Sequence, residues 1–350
     1  MLAASRSGIW VTPDGQAGRL LGKRLGSPPS GFHPLISMNE IPIVAAAQGT
    51  ELPAKSRTAV SVLLAAIESL RPYQWLKNVL VFVPLAAAHE LGNVALISAA
   101  ARVFLAFSLC ASAVYLLNDL KDAPADRLHP HKRNRPIASK RLPTAGAIFL
   151  VPALLAGAIA TSRPLSGCAV TIGLYFMLMV AYTLWLKAIV LLDAFILAAG
   201  YALRVIAGGF AVGIRPTPRL VAFCIFLFFS LALLKRYSEM ALLRLHDGPN
   251  THARGYLLED QGFIVSLGIS CGALSALVLA VYMSRENIAL LYTRSEFIWL
   301  TCILLLYWIS HMWLAAHRGR MTDDPLVFAI KDRTSTVLIL LMGASAWLAV

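Results

Sequence analysis

The chain has 350 residues, 58% of them hydrophobic and 14% charged, with a mean hydropathy of +0.69. That balance excludes an ordinary soluble domain of this length. The formal net charge of +13 suits anionic lipid and phosphorylated substrates, and the absence of any groove-reading or base-stacking motif argues against nucleic acid.

Residues 1–57 are rich in Gly, Pro and Ser, nearly acid-free until Glu40, and hold no apolar run long enough for a signal peptide. They are expected to be disordered, or an extension ahead of an alternative start at Met38, with residues 1–37 dispensable. Residues 58–70 then read as a short helix lying at the membrane interface.

From there about nine apolar runs are long enough to cross a ~30 Å hydrocarbon core as helices. They fall near 73–89, 97–118, 144–161, 167–186, 190–213, 219–240, 262–283, 297–317 and 334–350. The first is short and carries Pro84, which predicts a kink or a tilt. Uniform apolarity, rather than strict alternation, argues against a β-barrel. The predicted class is an all-α polytopic membrane protein.

Most of the 31 Lys and Arg residues precede the first run or follow the even-numbered ones, whereas Arg163, Arg215, Arg219, Arg285 and Arg294 fall on the other side. This predicts a cytoplasmic N-terminus and a bacterial inner-membrane protein whose active site faces the cytoplasm. The five cysteines all lie in predicted spans without ligand spacing and read as small buried hydrophobes.

The end of the second run carries Asn118-Asp119-x-x-Asp122-x-x-x-Asp126-Arg127. Acids spaced three and four apart share one side of a helix, and Asn118 brings an amide to the same face. Oxygen-only ligands at Asp119, Asp122 and Asp126 favour Mg²⁺, which shares its shell with substrate phosphates. The alternative is a solvated acidic loop paired with Lys121, Arg127 and Lys132. Pro124 cannot donate to Leu120, so the helix is expected to bend or end there, leaving Asp126 the least direct ligand.

A second group follows the fourth run: Tyr182, Lys187 and Asp193, with Leu197, Gly200 and Arg204 on the face that Asp193 begins. Arg204 lies about 16 Å deeper than Asp193, at ~1.5 Å per residue, so the two cannot pair with each other. Each either faces a polar cavity or pairs with another helix, and Gly208-Gly209 allow close helix approach.

Further stretches complete a pattern: Arg71-Pro-Tyr-Gln-Trp75-Leu-Lys77-Asn78, His129-Pro130-x-Lys132-x-x-Arg135-Pro136, Lys235-Arg236-x-x-Glu239 and Asp324-Pro325-x-Val327-Phe328-Ala329-x-x-Asp332-Arg333. In this order between spans, they resemble the UbiA family of intramembrane prenyltransferases, and within it the decaprenyl-phosphate phosphoribosyltransferase branch, from about Arg71 to the C-terminus. The resemblance implies Mg²⁺-dependent transfer of 5-phosphoribosyl from phosphoribosyl diphosphate to a polyprenyl phosphate, feeding decaprenyl-phospho-arabinose synthesis.

It implies roles as well. Asp119, Asp122 and Asp126 would hold the metal, with Asn118 beside them, and Asp193 would add a further catalytic carboxylate. Lys132 and Arg135 suit the donor's 5-phosphate, Lys187 and Tyr182 its diphosphate. Lys77 and Arg127 join the substrate-binding set, and Arg204, Lys235 and Arg236 are candidates for the lipid phosphate. His129 and His131 read as structural or phosphate-adjacent. One departure bears on the donor: aromatic prenyltransferases of the family carry a second acid where this chain has Leu197, with Lys187 upstream instead. Prenyl transfer from an allylic diphosphate stays open as an alternative, and a transporter or lipid-binding protein as a more distant one.

Overall fold

The computed structural model describes residues 58–129, 132–162, 166–214, 216–246, 255–283, 294, 296–321 and 324–349. The expected extension over 1–57 and His131 lie outside them. The described residues are helical, with no strand among them.

Helix α1 (Ala59–Leu70) is capped by Thr58, whose hydroxyl accepts from the Ser61 N–H. It exposes Val60, Leu63, Leu64 and Ile67, a helical-spacing apolar stripe, and buries Ala65 and Ser69. Arg71 ends it in the left-handed region at φ 53°, and a 3₁₀ stretch, Pro72–Phe82, leads into the short α2, Val83–Ala87. The longer helices are α3 (Val94–Leu128), α4 (Thr144–Ser162), α5 (Ser166–Leu184), α6 (Leu192–Ala211), α7 (Pro218–His246), α8 (Gln261–Met283) and α9 (Glu296–His317). The shorter α10 (Pro325–Lys331) and α11 (Arg333–Leu348) close the chain.

Seven helices, α3 to α9, are long and apolar enough to cross a bilayer. The count of about nine is not confirmed. The first expected span is instead the 3₁₀ stretch and α2, with Pro84 near the start of α2. The last is a helix of 16 residues, or about 24 Å at ~1.5 Å per residue, short of a full crossing.

Helices α6 and α7 form the centre: 67% and 61% of their most apolar windows are buried, against 22% for α4. Lipid offers apolar side chains as good a solvent as protein does, so association depends on close packing and polar pins. Helix α6 meets both needs. It buries Ala194, Ala198, Ala202 and Ala207 together with Gly200 and Gly208. A Cβ at Gly208 would overlap the Val81 carbonyl, so glycine is what lets the 3₁₀ stretch lie on this helix.

Helix α3 continues through Pro124 to Leu128 without ending there. The proline removes one ladder bond, but the last turn is held from outside. Ala123 and Asp126 are buried, and Arg135 clamps Asp126 from the following loop at 2.7 Å. Tertiary contacts override the local break.

Candidate active site

The acidic motif occupies the last three turns of α3. Asp119 and Asp126 lie seven residues apart, nearly two full turns, and so share a face; Asp122 is rotated about 60° from Asp119 at 100° per residue. The pairings follow that rotation. Arg71 Nη2 donates to both oxygens of Asp119, at 2.7 and 2.9 Å. Arg135 Nη1 reaches Asp119 at 3.2 Å and Asp126 at 2.7 Å. Asp122 faces Lys187, whose Nζ lies 3.4 Å from each of its oxygens. The expected trio of metal ligands is therefore two plus one, and no group of three acidic, His or Cys side chains gathers as a metal site among the described residues. Asp126, expected to be the least direct of the three, is instead the close partner of Asp119.

The remaining pair fits a hard divalent cation. Both donors are carboxylates, and they converge on one point, taken here by a single guanidinium nitrogen. Asn118 adds a half-buried amide at the adjacent helix position.

Lys187 is positioned by neighbours on both sides. Lys121 donates to the Thr183 and Leu184 carbonyls at 2.9 Å, satisfying the open end of α5. The chain then turns through Leu191, held at φ 66°, a costly conformation for a branched side chain. The Tyr256 hydroxyl stabilises that turn by accepting from the Leu191 N–H at 3.0 Å while donating to Asp193 at 2.5 Å. Burial and the Asp193 carboxylate push the Tyr256 hydroxyl above its ordinary range.

Asp193 does not open into a cavity. It is fully buried and held by Tyr256 and by Arg236 Nε at 2.5 Å. Arg236, also fully buried, spends its other nitrogens on Glu239 and on Tyr182, the latter at 3.2 Å. Arg204 is likewise consumed: it donates to Asn78 at 2.7 Å, to the Gly200 carbonyl at 2.7 Å and to Tyr175 at 3.0 Å. The rings of Phe107, Tyr175 and Tyr201 surround it within cation–π range. Both arginines thus serve as interhelical pins, and neither offers an open face to a lipid phosphate.

Among the other candidates, Arg127 turns to the Ala138 carbonyl at 3.3 Å, away from the acids. Lys132 is exposed on the loop of Arg135, and His129 accepts from the Lys132 N–H at 3.4 Å. Lys77 and Lys235 meet elsewhere, on Asp324, at 2.9 and 3.1 Å. Burial would raise the Asp324 carboxyl, but the two lysines outweigh it and hold the group at about 2.

Sequence reasoning passed over Arg71, Tyr256, Glu239 and Asp324 as site residues. Asp324 carries a local signal, since Asp before Pro marks a helix start; its carboxylate indeed caps α10 through the Leu326 N–H. Tyr256 carries none.

The UbiA prenyltransferase family model matches residues 78–248. Decaprenyl-phosphate phosphoribosyltransferase of Mycolicibacterium smegmatis is 30% identical over 285 residues, which are 78% of this chain and 88% of that one. The chain belongs to the UbiA prenyltransferase family. Nodulation protein NoeC of Azorhizobium caulinodans is 34% identical, across 78% of this chain and 89% of its own. The chain spans about half, 52%, of the y4nM protein of Sinorhizobium fredii, at 33% identity. In fold, a UbiA homologue from Archaeoglobus fulgidus bound to GPP and Mg²⁺ superposes with a TM-score of 0.60 at 16% identity, covering 81% of this chain and 99% of that structure. This UbiA-family chain is accordingly a transferase and a multi-pass membrane protein.

Proposed function

We propose that this UbiA-family protein transfers 5-phosphoribosyl from phosphoribosyl diphosphate to a polyprenyl phosphate, releasing diphosphate, with Mg²⁺ as cofactor. The observation that carries the reading is the fate of the second acidic position. Asp193 is sealed by Arg236 and Tyr256, and Leu197, one turn on, forms part of the apolar wall of a cleft that also holds Lys77, Lys235 and Asp324. One carboxylate site ringed by three cations suits a donor rich in phosphate groups better than it suits two metal clusters around an allylic diphosphate. The name of the Mycolicibacterium relative agrees with this reading.

Asp119 and Asp126 would hold the metal. When bound, Mg²⁺ supplies positive charge against the departing diphosphate. Arg135, with Lys132 beside it, binds the 5-phosphate, where a guanidinium offers paired donors. Lys187 and Arg71 orient the diphosphate and favour its leaving with the electron pair of the broken C–O bond. An acceptor phosphate oxygen forms the new bond at the anomeric carbon. That oxygen is already ionised, so no general base is required. The cation-rich side of the chain supports a bacterial inner-membrane location with this site at the cytoplasmic face, and the apolar stripe of α1 supports its lying along that interface.

The test is incubation of detergent-purified protein with Mg²⁺, labelled phosphoribosyl diphosphate and polyprenyl phosphates of several lengths. Label passing into the lipid phase is the expected result. Transfer from an allylic diphosphate, with none from phosphoribosyl diphosphate, would overturn the reading.

A further inference from the structure

Apart from the acidic motif, one cleft combines charge with an apolar wall. It lies between the 3₁₀ stretch, α6, α7 and the start of α10, and has a cavity volume of about 50 Å³. Lys77 and Lys235 enter it from opposite elements and converge on one oxygen, Oδ2 of Asp324. The other oxygen of Asp324 is tied into the α10 cap, so this carboxylate cannot follow the lysines if they move. Leu197, Tyr201 and Phe228 continue the wall, with the last two rings stacked 4.6 Å apart.

Two ammoniums against one carboxylate leave a net positive charge in a partly buried place. The lysine side chains are 15% and 33% exposed. Each ammonium has three N–H donors and gives one to Asp324, so donors remain for a second anion. Among the described residues the other acid acting on the pair is Glu239, on the helix of Lys235; it is bonded to Arg236 and supports Lys235 only at longer range. The remaining groups acting on the two lysines are Tyr115, Tyr201 and Arg236. A phosphate monoester on an apolar chain matches both halves of the cleft, with its oxygens on the ammoniums and its first carbons along the wall.

We infer that Lys77 and Lys235 take the phosphate of the lipid acceptor, and that Asp324 is a positioning residue that holds the two lysines together. The inference rests on the proposed reaction for the acceptor's identity. The site shares no residue with the acidic motif, so donor and acceptor phosphates are held by separate cations.

The test measures binding of a labelled polyprenyl monophosphate to the full chain in detergent without donor. Inorganic phosphate and the unphosphorylated polyprenol serve as competitors, and phosphoribosyl diphosphate binding serves as the control for folding. Lys77→Gln and Lys235→Gln should each weaken lipid-phosphate binding about tenfold or more and leave donor binding unchanged. Should Lys77→Gln fail to fold, the more exposed Lys235 supplies the reading. Polyprenol should compete poorly, and inorganic phosphate only at far higher concentration than the lipid, which separates lipid headgroup from free anion. Asp324→Asn keeps a side chain competent to cap α10 but removes the charge that lets both ammoniums stay protonated side by side. Its affinity should fall between pH 7 and pH 9 more steeply than that of the wild type. Wild-type affinity in both lysine variants, or a level pH profile in Asp324→Asn, would overturn the inference and leave the reaction standing. Failure of the wild type to bind any lipid monophosphate would instead remove the acceptor, and both conclusions with it.

Discussion

Tyr256 and Asp193 are joined by a hydrogen bond of 2.5 Å across 63 residues of sequence. The same hydroxyl accepts from the Leu191 N–H, so one oxygen fixes both the turn after Lys187 and the first turn of α6. Tyr256→Phe deletes it at nearly constant volume. A buried N–H and a carboxylate oxygen then lose their partner, which costs about 1–3 kcal/mol. Thermal unfolding in detergent should fall accordingly, and turnover should fall with it because Lys187 loses its fixed backbone. Full stability in Tyr256→Phe would show that the turn holds itself.

The acids of α3 should separate into two classes. Asp119→Ala and Asp126→Ala, which empty the point shared with Arg135, should each lower turnover by about a hundredfold or more. Asp122→Ala should be milder, because it only releases Lys187 from a contact of 3.4 Å. EDTA should abolish turnover in the wild type. Activity that persists in EDTA, or equal losses in all three variants, would remove the two-carboxylate assignment.

What the sequence made legible was local. The spacing of Asp119 and Asp126 announced a shared helix face because seven residues nearly close two turns, and uniform apolar runs announced the long helices; Asp122, expected on that face, turns to Lys187. What stayed hidden depends on partners far along the chain. Arg204 reads as a polar residue deep in a span, yet only the fold brings Asn78 and Tyr175 to it and turns a candidate phosphate ligand into a pin. Asp193 looks catalytic until Arg236, 43 residues on, closes over it. Pro124 predicts a bend or an end, and the helix runs on to Leu128 with Arg135 gripping Asp126.

Donor choice follows from Arg135 and Lys187. Arg135→Ala should raise the donor KM about ten- to a hundredfold, the cost of a charge-assisted contact of roughly 1.5–3 kcal/mol, and move the lipid KM little. Lys187→Ala should lower kcat as well, because the diphosphate gains charge as it leaves. Steady-state kinetics with each substrate varied in turn checks both. A harmless Arg135→Ala, with an allylic diphosphate accepted as donor, would place the protein among prenyl-transferring members of its family.

Arg204→Met should act on stability rather than on lipid affinity. The variant leaves the Asn78 amide oxygen and the Tyr175 hydroxyl without their donor, at about 1–3 kcal/mol for each buried group left unsatisfied. The midpoint of thermal unfolding should drop clearly, while the acceptor KM of the fraction that remains folded should match the wild type. A raised acceptor KM at unchanged stability would return Arg204 to the substrate.

Acid should weaken the protein through Asp324. Its carboxyl titrates at about 2 in the folded chain against 3.8 ordinarily, so the folded state binds this proton less readily than the unfolded state. Its contribution is fully present above the ordinary carboxylate value and is lost as pH falls through about 2. The difference corresponds to on the order of 2 kcal/mol. Asp324→Asn has no such proton to bind. Between pH 5 and pH 2 its unfolding midpoint should decline less steeply than that of the wild type. Parallel declines would mean that Lys77 and Lys235 do not depress the carboxyl as their distances of 2.9 and 3.1 Å require.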